Sequence, residues 1–158
     1  MKLLCDAGTG YNNLPITKAR VCGVDVVNVP TYSTYSAAHM VITYIINFSA
    51  VIFKHAKMLH NGNQSNFHVF QHPIYEILGQ VVGLIGGSGT VGTAVTNVAL
   101  ALGMQVVILS QSSKLPVGHK YENEPKVKVV SLDELLSRSD FVSINYPLSE
   151  DTWHLIGS

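Results

Sequence analysis

The first thirty residues alternate short apolar runs with a turn-rich stretch. Residues 2–5 and 24–29 have the length and apolar content of strands, and Pro30 ends the second run. Between them, residues 7–13 are rich in glycine and asparagine, which favour turns. The pattern predicts a strand, a loop and a second strand.

Residues 36–58 are strongly apolar, but polar side chains recur among them at helical spacing. The polar positions are His39, Thr43, Asn47, Lys54 and Lys57, and the opposite stripe consists of Val41, Tyr44, Ile45, Phe48 and Ile52. Residues 40–53 alone resemble part of a membrane span, and the periodicity argues against that interpretation. The pattern predicts one long amphipathic helix, apolar over more than half of its circumference.

The second half of the chain alternates strand and helix patterns after a polar loop at 61–71. Predicted strands lie at 80–85, 105–109, 127–130 and 141–145. The helix after the first strand has Val91, Val95, Val98 and Leu102 on one face and Gly103 at its end. Ser131 and Glu134 form a capping box for the next helix, and Ser149 starts a last one. This alternation predicts an α/β fold with a parallel sheet and right-handed crossovers.

A glycine run, residues 86–92 (GGSGTVG), follows the strand at 80–85 directly. Residues 87–92 fit G-x-G-x-x-G, whose glycines allow a tight turn, approach of a pyrophosphate and close helix packing. Alone, the motif also fits a glycine-rich surface turn. The strand before it, the helix after it and the second strand are the context that a Rossmann-type dinucleotide site requires. The predicted cofactor-binding residues of the turn are Gly87, Gly89, Thr90, Val91 and Gly92.

The end of the second strand leaves the choice of cofactor open. An acid about 20 residues after the motif usually binds the ribose hydroxyls of NAD, and Ser110 stands at that position here. Without a carboxylate a 2′-phosphate is not repelled, and Lys114 with the serines at 110, 112 and 113 is able to receive it. An ordinary solvated loop explains these residues equally well. The cofactor is therefore expected to be NAD or NADP.

Composition excludes several classes of partner and site. The chain has 158 residues, 47% of them apolar, and ten basic residues balance ten acidic ones, so a nucleic-acid partner is not expected. Cys5 and Cys22 are too few for a disulfide framework, and residues 1–6 lack the apolar run of a secretory signal. We expect a cytoplasmic protein with no membrane partner.

The seven histidines give no candidate for chemistry. His68 and His72 are spaced to share a helix face, but no third metal ligand is evident, so we predict no metal site. No histidine forms an obvious dyad with a carboxylate at a strand end, and we therefore assign no catalytic residue within the chain.

Several segments together resemble the D-isomer-specific 2-hydroxyacid dehydrogenases, in particular their glycerate dehydrogenase or hydroxypyruvate reductase branch. The segments are AGTGYNN at 7–13, VNVP at 27–30 leading to YST at 32–34, LGQVVGLIG at 78–86, SLDELL at 131–136, SDFV at 139–142 and PL at 147–148. One departure is the pair Gly86-Gly87, where the family usually has a single glycine. The phosphate turn is therefore expected to differ slightly in shape.

The resemblance implies site residues and a domain organisation. It implies that the backbone amides of Thr9 and Gly10 face the substrate carboxylate and the nicotinamide end. It also implies that Asn145, Tyr146 and Pro147 line the adenosine side at the end of the fourth strand, with Thr152 near the cofactor. It implies a remnant of a flavodoxin-like substrate domain at 1–30, a long connecting helix at 31–60 and a partial Rossmann domain at 75–158. The helix is also implied to contribute to a homodimer.

The resemblance further implies that a substrate-binding segment precedes Met1 and that an arginine, an acid and a histidine proton donor lie beyond Ser158. The chain is then expected to be the NAD(P)-binding portion of an oxidoreductase for 2-hydroxy acids of the glycerate, hydroxypyruvate or glyoxylate type, inactive on its own. Two alternatives stay open. One is a non-catalytic dinucleotide-binding or dimerising truncated paralogue, and the other is an unstable remnant whose helix at 40–53 is left exposed.

Overall fold

The computed structural model describes residues 1–65, 72–110, 114–148 and 152–154. The first 27 residues form a small two-stranded layer, in which β1 (Leu3–Cys5) and β2 (Asp25–Val27) pair in parallel. A parallel pair needs a crossover, and α1 (Ile16–Val21) supplies it. The sequence-based prediction of a plain loop between these strands was wrong. No residue of 1–37 is buried, so this layer has no core of its own.

Two helices, α2 (Thr34–Ala50) and α3 (Ile52–His60), replace the predicted single long helix. They meet at Val51, whose φ of 54° is left-handed, and the axes bend by 64°. The Asn47 side-chain oxygen accepts a hydrogen bond from the Phe53 amide at 3.0 Å, which caps α3. The Ser49 carbonyl accepts from the Tyr75 amide at 2.9 Å instead of from a further helical turn. Local capping therefore overrides the continuous apolar pattern.

The main sheet has four parallel strands in the order β5-β4-β3-β6. Its strands are β3 (Val81–Ile85), β4 (Gln105–Leu109), β5 (Val127–Val129) and β6 (Phe141–Ile144), close to the predicted bounds. Within this sheet the first strand in the sequence is β3. The next two strands, β4 and β5, are added on one side of it, and β6 then pairs with β3 on its other side. This reversal of direction is the switch point of a Rossmann-type sheet.

Helices cover both faces of the sheet. On one face, α2 and α4 (Thr90–Ala101) enclose the main core with Ile42, Ile45 and Val95. On the other, Leu135 of α5 (Leu132–Arg138) packs against Ile85 and Val107. The fold is thus an α/β Rossmann-like fold, as the sequence predicts.

Two details of the predicted helix patterns need correction. In α4, Val95 is buried and Val91 and Leu102 pack against the core as predicted, but Val98 is 38% exposed. Gly92, Thr96 and Ala99 are buried beside Val95 instead. In α5, Ser131 accepts from the Glu134 amide at 3.2 Å as predicted. The Glu134 carboxylate, however, pairs with Arg138 one turn later, so only half of the capping box is present.

Within the described part of the chain, no single helix is long and apolar enough to cross a membrane. By length and composition alone, α2 and α3 taken together across their bend do pass that test.

Candidate functional site

The chain turns sharply after β3, and Gly86 makes the turn. Its φ of 85° is left-handed, and a Cβ atom there would lie 2.9 Å from the Tyr146 ring. The Gly86 amide donates to the Leu109 carbonyl at 3.3 Å, and the Gly86 carbonyl accepts from the Gly89 amide at 3.2 Å. Gly86, the first glycine of the Gly86-Gly87 pair, therefore closes a four-residue turn at the edge of the sheet where β3, β4 and β6 all end.

The three glycines of the predicted motif have two different environments. Gly87 and Gly92 are buried, and a Cβ on Gly92 would collide with the Gly87 backbone, so these two glycines let α4 approach the sheet. Gly89 is exposed, and a Cβ there would meet only the Gly86 carbonyl oxygen, at 3.5 Å. Gly89 thus borders open space.

The N-terminus of α4 faces this open space. Gly89 is its N-cap residue, and the first helical hydrogen bond runs from the Thr93 amide to the Gly89 carbonyl at 2.8 Å. The amides of residues 90–92 precede that bond and have no partner within the helix. No acidic side chain lies in the first turn of α4, so the positive end of the helix dipole is free to attract an anion.

The residues predicted after β6 lie across the crevice from this turn. The Asn145 amide donates to the Ile85 carbonyl at 2.8 Å, which holds the two strand ends together. Tyr146 packs on the core cluster beneath α5 and touches Gly86. The Pro147 carbonyl accepts from the Thr152 hydroxyl at 2.9 Å. The structure therefore brings Asn145 and Tyr146 to the glycine turn and links Thr152 to the same segment.

Ser110 lies at the end of β4, where the sequence places it. Its side chain bonds to the backbone of a residue only four positions further along the chain. It is 9% exposed, and its hydroxyl donates to the Lys114 carbonyl at 3.1 Å. Ser112 and Ser113, named with it as a 2′-phosphate site, lie outside the described residues. The choice between the two cofactors therefore stays a prediction.

The loop with Thr9 and Gly10 is fastened to the start of α2. The Thr9 carbonyl accepts from the Asn28 amide group at 2.9 Å, and the Thr9 hydroxyl is 3.0 Å from that of Ser33. Gly10 is exposed. These contacts fix the loop beside the residues that open α2, and no hydrogen bond joins it directly to the glycine turn within the described chain.

A cleft of about 650 Å³ runs from the glycine turn along the exposed side of α4. Its walls are the start of α2, the first half of α4 and the loop between β4 and β5. The lining residues are Thr31, Thr34, Tyr35, Ser88, Gly89, Thr90, Thr93, Ala94, Asn97, His119 and Lys120. The cleft therefore extends from the start of α2 to the free amides of α4.

The sequence model of a protein family, the NAD binding domain of the D-isomer specific 2-hydroxyacid dehydrogenases, matches residues 42–158 of this chain. The chain belongs to this family. The resemblance stated from the sequence and the Rossmann-like fold are thereby confirmed, and the NAD(P) cofactor expected from the glycine run is that of the family domain.

Similar proteins and solved structures support this family assignment. The hydroxypyruvate reductase of Blautia hydrogenotrophica is 35% identical over 147 residues, which cover 91% of this chain and 44% of the relative. Among solved structures, a D-lactate dehydrogenase of Aquifex aeolicus with NAD and lactic acid has a TM-score of 0.84 at 25% identity, covering 99% of this chain and 45% of that one. An acyclic imino acid reductase with NADPH and D-Arg has a TM-score of 0.78 at 26% identity, covering 96% and 46%. The chain spans less than half the length of each of these relatives.

Some cleft residues of this family member were missed from the sequence. His119 Nε2 lies 3.2 Å from the Thr93 hydroxyl, and its Nδ1 accepts from the Tyr121 amide at 3.3 Å. Lys120 donates to the Asn97 side-chain oxygen at 2.8 Å. Residues 114–126 have no regular pattern, so only the three-dimensional packing shows that they line the cleft.

The histidines do not form a metal site in the described residues, where no group of three or more potential ligands occurs. His72 stacks at 6.5 Å on His55, and His68 lies outside the described residues. His39 is exposed on α2.

Proposed function

We propose that the turn between β3 and α4 binds the pyrophosphate of NAD or NADP. The observation that carries this is the open space at Gly89 in front of the α4 N-terminus, while Gly87 and Gly92 are used for packing. The amides of Thr90, Val91 and Gly92 would donate to the phosphate oxygens. Residues at the ends of the neighbouring strands would surround the rest of the dinucleotide: Ser110, Asn145, Tyr146, Pro147 and Thr152.

We infer that the whole protein is an oxidoreductase for small 2-hydroxy and 2-oxo acids of the glycerate, hydroxypyruvate or glyoxylate type. The reduced nicotinamide, when bound, would supply the hydride to the 2-oxo acid, and this chain's part would be to bind and orient the cofactor. The free amides of the Thr9–Gly10 loop would hold the substrate carboxylate, since that loop is fixed beside the start of α2. No proton donor is assigned within these 158 residues.

We also propose that the chain forms a homodimer through α2, in the cytoplasm. Met40, Tyr44 and Phe48 of α2 recur every four residues and are 47%, 51% and 69% exposed, although they are apolar. A helix face of this kind is typically buried against another surface. Cys5 and Cys22 are free and exposed, which fits a reducing compartment.

The variant Gly89→Val tests the dinucleotide site. Its side chain has room within the protein but occupies the approach to the α4 amides, so we expect calorimetric titration with NADH and NADPH to show binding by the wild-type chain and none by the variant. The loss of a glycine N-cap should cost no more than about 1 kcal/mol of folding free energy.

Gly92→Ala is the matched contrast. Its new methyl group collides with the Gly87 backbone, so it should lower the free energy of unfolding by about 1–3 kcal/mol, as overpacking does. Unchanged affinity of the folded Gly89→Val chain, or no binding of either dinucleotide by the wild type, would contradict the proposed function.

A further inference from the structure

Among the described residues that line the cleft along α4, Lys120 is the only charged one. Its ammonium donates to the Asn97 side-chain oxygen at 2.8 Å and lies 5.2 Å from the centre of the Tyr121 ring. The Tyr121 hydroxyl donates to the same Asn97 oxygen at 3.1 Å. The lysine is thus held by neutral groups on the wall of the cleft.

No carboxylate neutralises this ammonium in the described part of the chain, where the one ion pair is Arg138 with Glu134. The same cleft contains the positive end of the α4 dipole, at Gly89 and Thr90. An anion in the cleft is attracted by both of these positive centres. The cleft is therefore electrostatically suited to a negatively charged group.

We propose that Lys120 is the cationic side chain that binds the pyrophosphate of the dinucleotide, a proposal that rests on the proposed function. The motif itself offers no cation, because its variable positions are Ser88, Thr90 and Val91. The cleft reaches these residues but not Ser110, where a 2′-phosphate would lie. The pyrophosphate, which NAD and NADP share, is therefore the group that Lys120 recognises.

His119 and Thr93 support this placement. The Tyr121 amide donates to His119 Nδ1, so the neutral imidazole carries its proton on Nε2 and donates it to the Thr93 hydroxyl. Thr93 lies one helical turn after Gly89. This contact fastens the 114–126 loop to α4 near the free amides and keeps Lys120 on the same wall of the cleft.

The test is the affinity of the 158-residue chain for NADH and NADPH with Lys120→Gln and Lys120→Arg, measured at low and high salt. We expect Lys120→Gln to weaken both dinucleotides by about fivefold at low ionic strength, since an exposed charge pair is lost. The difference should shrink in high salt, which screens an exposed charge. Lys120→Arg should stay within about twofold of the wild type, because the charge is kept.

Two control variants separate charge from structure. Lys128→Gln removes an exposed lysine from β5, outside the cleft, and should leave the affinity unchanged. Asn97→Ala removes the anchor of Lys120 but not its charge, and should weaken binding less than Lys120→Gln.

Three results would overturn the inference while leaving the proposed function intact: Lys120→Gln behaving like Lys128→Gln, a loss limited to NADPH, or a loss that is independent of salt and equalled by Asn97→Ala. Failure of the wild type to bind either dinucleotide would instead refute the proposed function, and the role of Lys120 with it.

Discussion

Val51 adopts a left-handed backbone conformation, with φ 54° and ψ 33°, which is a strained state for a β-branched residue. The strain is held by contacts on both sides of the break. The Asn47 side chain caps the second helix, and the Tyr75 amide satisfies the Ser49 carbonyl. After the bend, no residue of α3 is buried.

This conformation predicts an inverted ranking of two substitutions at position 51. In a continuous helix Gly is less stable than Ala by roughly 1 kcal/mol. In a left-handed position the Cβ of Ala costs about 1–2 kcal/mol, which Gly avoids. Val51→Gly should therefore unfold at higher denaturant concentration than Val51→Ala, although both lose the same isopropyl contacts.

Urea unfolding of the two variants, followed by circular dichroism, checks this ranking. A higher midpoint for Val51→Ala than for Val51→Gly would mean that the helix continues through residue 51, as the apolar pattern alone suggests.

At the same scale, the motif predicts three roles for its glycines: a tight turn, close approach of a pyrophosphate and close helix packing. The surroundings of Gly89, which borders open space, and of Gly92, which packs against the Gly87 backbone, agree with the last two. The motif does not show that the left-handed φ belongs to Gly86, which lies outside it. Steric surroundings come from distant residues such as Tyr146, which spacing along the chain does not show.

Among the elements, strands were predicted well and helices less so. The β-branched runs of the buried sheet are close to the observed bounds, since both faces of a parallel strand are apolar. The α1 helix was missed because it has only six residues and none of them is buried. The long helix was apolar on two faces, so its periodicity indicated a helix but did not decide which face meets the core.

The second apolar face of α2 gives a prediction about assembly. Ala38, Ile42, Ile45 and Ser49 face the core, which leaves the stripe around Phe48 exposed. We expect sedimentation velocity over a concentration series to show a dimer, and Phe48→Asp to shift it to monomer, because a buried charge opposes the apolar contact.

Val117→Asp is the control for that experiment, since Val117 is an apolar residue that is 97% exposed in the loop before β5. It should leave the dimer intact. A wild-type chain that is monomeric at all concentrations, or a Phe48→Asp chain that dimerises as well as the wild type, would contradict the proposed interface.

For the whole molecule, the α/β class and the parallel sheet followed from alternating strand and helix patterns. The strand order β5-β4-β3-β6 adds what the pattern lacks, namely that β6 returns beside β3. This return places Asn145 and Tyr146 opposite the glycine turn. In the sequence their position was implied only by the family resemblance. The cleft along α4 was not predicted, because it depends on how an irregular loop packs on a helix.

The central claim is that the dinucleotide binds at the switch point between β3 and β6, on the free amides of α4. The most direct measurement is a titration of the ¹⁵N-labelled chain with NADH, followed by amide chemical shifts. We expect the largest changes at residues 87–92, with further changes at Asn145 and Tyr146. Changes confined to the β1–β2 layer, or none at residues 87–92 at saturating NADH, would contradict the claim.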